Sequence, residues 1–145
     1  MYHQVIETLK DTPQYRARRR IVSGNSGEEY VVSIRKRDNR WACACKGWIF
    51  TYQKKNEDCK HIKEVKETYG DKGRSDAILA QFTQFTKDLN GIDVISALAR
   101  WKAIKDPISM LLFYFENTPE ESVRAENLSQ ALDAVKIRLD ILVLQ

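Results

Sequence analysis

The residues in this chain best suited to chemistry are Cys43-Ala44-Cys45 and, thirteen residues later, Cys59-Lys60-His61. All three cysteines and one of the two histidines lie in these two runs. Cys-x-Cys followed by Cys-x-His supplies three soft thiolates and an imidazole in two close pairs, the donor set of a tetrahedral Zn²⁺ site. Other chemistries use the same residue types. Three cysteines could be core hydrophobes or a disulfide with a free thiol, and a cysteine with a histidine could be a nucleophile and its base. Thiolates close to lysines could also serve a thiol enzyme or a redox sensor. An odd cysteine count argues against a disulfide framework, and four ligands with none left over describe a closed, structural metal site without an open position for water. No other acid–base pair, phosphate loop or nucleophile motif is apparent, so catalysis by this chain alone is not expected. His3 lies outside the spacing and reads as a surface residue.

These ligands need elements to hold them. Cys43 and Cys45 follow Trp41 at the end of a short strand, where residues two apart face the same way. Cys59 and His61 cannot share a face in mid-helix, so they belong at the first turn of one, followed by Ile62, Val65 and Tyr69 at helical spacing and stopped by Gly70. Upstream, Tyr15 to Val22 and the alternation of Tyr30, Val32 and Ile34 predict two strands of a hairpin turning through Gly24 to Gly27, and Asp38-Asn39 makes the next turn. Simple alternation on the first of these strands places Arg16, Arg18 and Arg20 on one face and Ala17, Arg19 and Ile21 on the other. Residues Tyr2 to Lys10 fit either a short helix or a first strand. Between the ligand pairs, Trp48, Ile49, Phe50 and Tyr52 are expected to cover the metal and fill the core, with Tyr52 equally suited to stacking on a base, and Gln53 to Asp58 reads as an exposed loop.

A hairpin, then Cys-x-Cys, then Cys-x-His opening a short helix, resembles a SWIM-type zinc finger. Members of that family often carry Cys-Ser-Cys-Pro with an aromatic soon after and a lysine before the histidine. Here the runs are Cys43-Ala44-Cys45-Lys46-Gly47-Trp48 and Lys60-His61, so the proline is missing. The likeness covers roughly the first half of the chain. It implies a structural zinc module that binds DNA or other proteins, in settings such as transposases, chromatin-remodelling ATPases and recombination factors.

Composition divides the chain into two regions, 1–74 and 75–145. The first carries 17 Lys and Arg against 10 Asp and Glu, the second 7 against 10, within a total of +4. A region of about 70 residues buries only about 60% of its unfolded surface, so the first is expected to need its metal. Its basic side chains, Arg16, Arg18, Arg19 and Arg20 on a strand, Arg35, Lys36, Arg37 and Arg40 around the next turn, and Lys54 and Lys55 in the loop, form a set that repels itself unless an anion is near. Nucleic acid is therefore the expected partner, with contacts mainly to phosphates, and the resemblance to a SWIM-type finger puts DNA first. The alternatives are a solvated face that keeps the finger in solution, and an adaptor that docks a protein.

The second region reads as helices. Ser75 can cap one through Lys87, Asp93 to Lys105 forms another, Pro107 can open a third over Ile108 to Glu116, and Thr118-Pro119-Glu120-Glu121 resembles a capping box for a last helix running nearly to Gln145. On that helix Ala125, Leu128, Leu132, Val135, Leu139 and Leu142 form a core stripe. Ile137, Ile141 and Leu144 form a second one, about 200° away, suited to a homodimer or a protein partner. The fold class expected is α+β, a small β-hairpin zinc finger followed by an all-helical region. No stretch of about 20 apolar residues and no signal-peptide core is present, so a reducing, intracellular setting away from the membrane is expected.

Overall fold

A four-stranded antiparallel sheet forms in chain order, with the alternation of Tyr30, Val32 and Ile34 on its third strand: β1 (Gln4–Thr8), β2 (Tyr15–Val22), β3 (Glu29–Arg35) and β4 (Trp41–Cys43). The computed structural model describes residues 4–22 and 27–144; Tyr2, His3 and positions 24–26 of the expected hairpin turn lie outside the described residues. The N-terminal segment is a strand, the second of the two forms its sequence allows. Antiparallel partners share a face, so the pairs Ile21 with Tyr30, Val32 with Cys43 and Ile34 with Trp41 gather six side chains on one side of the sheet. All six are buried. That face carries Cys43 into the core of this unit.

The arginine pattern on β2 differs from simple alternation. Ala17 adopts a left-handed backbone, φ 54°, and β2 gains one residue relative to β3 between the pairs Arg16–Ile34 and Arg19–Val32. This bulge reverses the in–out alternation. Arg16 falls on the same side as Arg19, while Arg20, opposite Val31, falls on the other, so Arg16, Arg18 and Arg20 do not form one stripe.

Arg35 is likewise not a surface cation. It is buried, donates to both carboxylate oxygens of Asp38 at 3.0 and 2.6 Å, and lies over the Trp48 ring. Those hydrogen bonds hold the Asp38 carboxyl down at about 2. Asp38 also accepts from the Arg40 amide, and Asn39 takes φ 57°, which together close the turn between β3 and β4.

After the sheet, a π-helical turn (Trp48–Tyr52) runs directly into α1 (Gln53–Lys55), so the segment expected as a loop begins helical and opens only at Asn56, φ 57°. Trp48 is buried and Tyr52 half-buried, but Ile49 and Phe50 face solvent and do not cover the core as expected. The wider π turn rotates them off the face that helical or strand periodicity would give them. Helix α2 (Lys60–Gly70) follows with Ile62, Val65 and Tyr69 buried, and Asp71 resumes extended backbone.

Two compact units result, Met1–Asp71 and Lys72–Gln145. The second contains α3 (Lys72–Asp88), α4 (Val94–Glu116) and α5 (Ser122–Leu144). Helix α3 starts before Ser75, which is buried in the helix and not its cap. Asp93 caps α4 by accepting from the Ser96 amide. Near their starts α5 and α3 meet through Arg124 and Asp76, and near their ends Arg138 donates to Thr86 and Asn90, so the two helices run parallel with α4 returning between them.

Pro107 does not open a new helix; it sits inside α4. It withholds the hydrogen bond to the Ala103 carbonyl, at about 3 kcal/mol. Ile108, Met110, Leu111, Phe113 and Phe115, all buried, gain roughly 1.5–3 kcal/mol each. A break would take Trp101 and Ile104 out of line with them. At Thr118 the chain enters α5 through a 3₁₀ turn (Pro119–Glu121) without a side-chain cap: the Glu121 amide donates to the Thr118 carbonyl, and the Glu121 carboxylate pairs with Arg124. On α5, Ala125, Leu128, Leu132, Val135 and Leu139 are buried, and Ile137, Ile141 and Leu144 are exposed at 60%, 51% and 86%. The architecture is α+β. No described helix is long and apolar enough to cross a membrane.

Candidate metal centre

β4 and the start of α2 bring the four ligand side chains together. Cys43 ends β4 beside Val32. Strand pairing persists one residue further, through the Ala44 amide to the Val31 carbonyl, and then the chain bends. Cys45 begins the helical segment: its carbonyl accepts from the Ile49 amide and its sulfur accepts from the Trp48 amide at 3.3 Å. Cys59 is the extended residue ahead of α2 and His61 lies in the first turn. An extended residue followed by a first helical turn lets side chains two apart converge, which mid-helix geometry forbids.

The ligand atoms of Cys43, Cys45, Cys59 and His61 lie within 4.8 Å of one another. Cys43 Sγ and His61 Nδ1 are 3.8 Å apart. A tetrahedral ion with bonds of about 2.3 Å to sulfur and about 2.0 Å to nitrogen sets its ligands roughly 3.5–3.8 Å apart. The cluster is close enough to hold a metal ion, and its donors and spacing are compatible with zinc.

Electrostatics point the same way. Hydrogen bonding to Cys59 and burial both push the Cys43 thiol up, and burial does the same at Cys45. Cys59, receiving the Cys43 hydrogen bond, goes down to about 5. Thiolates this close together raise the cost of one another's charge, and a cation among them would offset that repulsion. Ion binding would then release protons.

No protein-family model, curated protein or solved structure matches this chain. The likeness to a SWIM-type finger therefore rests on ligand spacing, the preceding hairpin and the following helix.

Around the ligands, Tyr30 stacks on the His61 ring with centroids 4.0 Å apart, and Glu28 Oε2 lies 3.5 Å from His61 Nε2. Sequence reasoning missed both roles, since each partner is far from His61 along the chain and only the β3 backbone delivers it. A cleft of about 760 Å³ opens beside the ligands, between the start of β3 and the Ala44–Gly47 bend, with Tyr52 and Lys60 on its walls. Cys45 is the one ligand only half-buried; the other three are 4% exposed or less.

The basic residues are dispersed. Arg16 bonds to Asn39 of the β3–β4 turn, and the Lys36 amide bonds to the Gln14 carbonyl, so Arg16, Lys36, Arg37 and Arg40 gather at one end of the sheet. Lys36 and Arg37 are exposed there, and Arg16 and Arg40 half-buried. Arg18, Arg19 and Arg20 are half-buried along β2, with Arg18 bonded to the Lys10 carbonyl. Lys54 and Lys55 are exposed on α1, away from the strands in sequence and element.

Proposed function

We propose that Met1–Asp71 is a SWIM-type zinc finger whose Zn²⁺, bound by Cys43, Cys45, Cys59 and His61, is structural, and that the finger binds nucleic acid, DNA in the first place, as an accessory factor without catalysis of its own. The convergence of three sulfurs and one imidazole nitrogen carries the metal part of this reading. With four protein ligands the ion has no vacant position for water, so its work is to join β4 to α2.

The nucleic-acid part is supported by the positive balance of the first region and by the exposed cations at the β3–β4 end of the sheet. Arg35 drops out of that surface, being committed to Asp38. Each phosphate neutralised on duplex DNA contributes roughly −0.9 to the slope of log affinity against log salt. Replacing Arg16, Lys36 and Arg37 together by alanine should flatten that slope by up to about 2.7 and weaken unrelated duplexes alike. Absence of wild-type binding at low salt would remove the nucleic-acid reading, and an unchanged slope in the triple variant would move the contacts off this end of the sheet.

An adaptor reading is favoured by a separate observation, the exposed second stripe of α5 formed by Ile137, Ile141 and Leu144. A second copy of the chain is the simplest occupant, because one patch serves both protomers. Ile137→Lys with Ile141→Lys should then give a folded, zinc-loaded monomer in light scattering. A wild type already monomeric at tens of micromolar would refute self-association.

A further inference from the structure

We infer that Glu28 is a positioning residue for the metal: it accepts a hydrogen bond from Nε2–H of His61 and so holds the imidazole in the tautomer that offers the Nδ1 lone pair to the ion. This rests on the metal reading above and adds a residue that the ligand spacing does not contain. The two ring nitrogens face different surroundings. Nδ1 points into the ligand cluster, 3.8 Å from Cys43 Sγ, and Nε2 points out of it, 3.5 Å from Glu28 Oε2. Nε2 is buried and has no hydrogen-bond partner in good geometry, so the nearby carboxylate is what can satisfy it. Glu28 has its side chain 53% exposed at the mouth of the cleft, with room for the small rotation that closes 3.5 Å to bonding distance.

Stacking by Tyr30 fixes the plane of the imidazole but cannot select its tautomer, because a contact on the ring face does not depend on which edge nitrogen carries the proton. A directional acceptor on one edge can. In a neutral imidazole one nitrogen is a donor and the other an acceptor, so a carboxylate at Nε2 makes Nδ1 the ligand and raises its basicity. Three thiolates around Zn²⁺ leave a net negative charge, to which a carboxylate adds; Lys46 and Lys60 line the same cleft and offset it.

Zinc affinity, measured by competition with a chromophoric chelator, should fall about 10- to 100-fold in Glu28→Ala. Glu28→Gln should lose less, since its amide oxygen still accepts. Glu29→Ala, the neighbouring exposed carboxylate on the same cleft, should match wild type. The wild-type readout needs no variant. The chain has two histidines, so long-range ¹H–¹⁵N spectra of the zinc-loaded protein should show His61 metallated at Nδ1 and protonated at Nε2. Metallation at Nε2, an unmoved Glu28→Ala affinity, or an equal loss in Glu29→Ala overturns the assignment while leaving the zinc site intact. Wild-type protein that binds no zinc overturns the metal reading and this assignment with it.

Discussion

Removing the metal should unfold Met1–Asp71 and leave α3, α4 and α5 standing. Structural zinc contributes about 10–16 kcal/mol in finger peptides, whereas whole domains are stable by only about 5–15 kcal/mol. Ile62, Val65 and Tyr69 of α2 are buried in the same unit as the sheet's apolar face, but a core of about 70 residues is marginal by itself. Without the ion, Cys43, Cys59 and His61 would keep three polar side chains buried beside one another with the Cys43 thiol held protonated. Trp41 and Trp48 are buried in this unit, one on the strand that carries Cys43 and one at the bend after Cys45, so their emission should shift to the red on chelation. Helical circular dichroism from α3, α4 and α5 should persist. Cys59→Ala should behave as the chelated protein does, because it deletes the ligand on which the other two thiols converge. Purified protein without stoichiometric metal, or a Cys59→Ala variant that keeps both metal and fold, would contradict the central reading.

The second large effect is expected in the helical unit. Phe85 is fully buried, stacks on Trp101 with ring centroids 6.1 Å apart, and carries the Arg100 guanidinium 5.4 Å from its own centroid. Phe85→Ala should cost about 3–5 kcal/mol through lost transfer energy and the cavity left behind. At roughly 0.05–0.15 kcal/mol per residue, a unit of this size has about 4–11 kcal/mol in all. The variant should therefore be close to unfolding at 37 °C, read from Trp101 emission and loss of helical signal in denaturant. Its zinc content should not change, since every ligand lies in the other unit. A loss under about 1 kcal/mol would show that Phe85 does not hold the bundle, and concurrent loss of zinc would show that the two units do not fold apart.

The Cys43, Cys45, Cys59 and His61 cluster was legible in the order of residues because ligand spacing is a local property. Two Cys/His pairs, each spaced by one residue, need only a strand end and a helix start; the Asp38-Asn39 turn ahead of Trp41 marks the first and the 3,4 spacing of Ile62, Val65 and Tyr69 the second. The α5 stripes were legible for the same reason: a regular helix converts residue number directly into angle. What the order of residues could not determine depends on partners distant in sequence. Alanine carries no signal for a left-handed backbone, so the bulge at Ala17 and the reversal of the arginine faces arise only once β2 is paired with β3. Local rules at Pro107 favour a helix start, and the buried side chains after it decide for one continuous α4. Arg35 reads as one more surface cation until the turn folds Asp38 back on it and Trp48 covers it, and Glu28 has no relation to His61 until β3 carries it to the imidazole. Periodicity and ligand spacing are properties of neighbours along the chain. Register, burial and the second partner of a side chain are properties of the packed sheet and bundle.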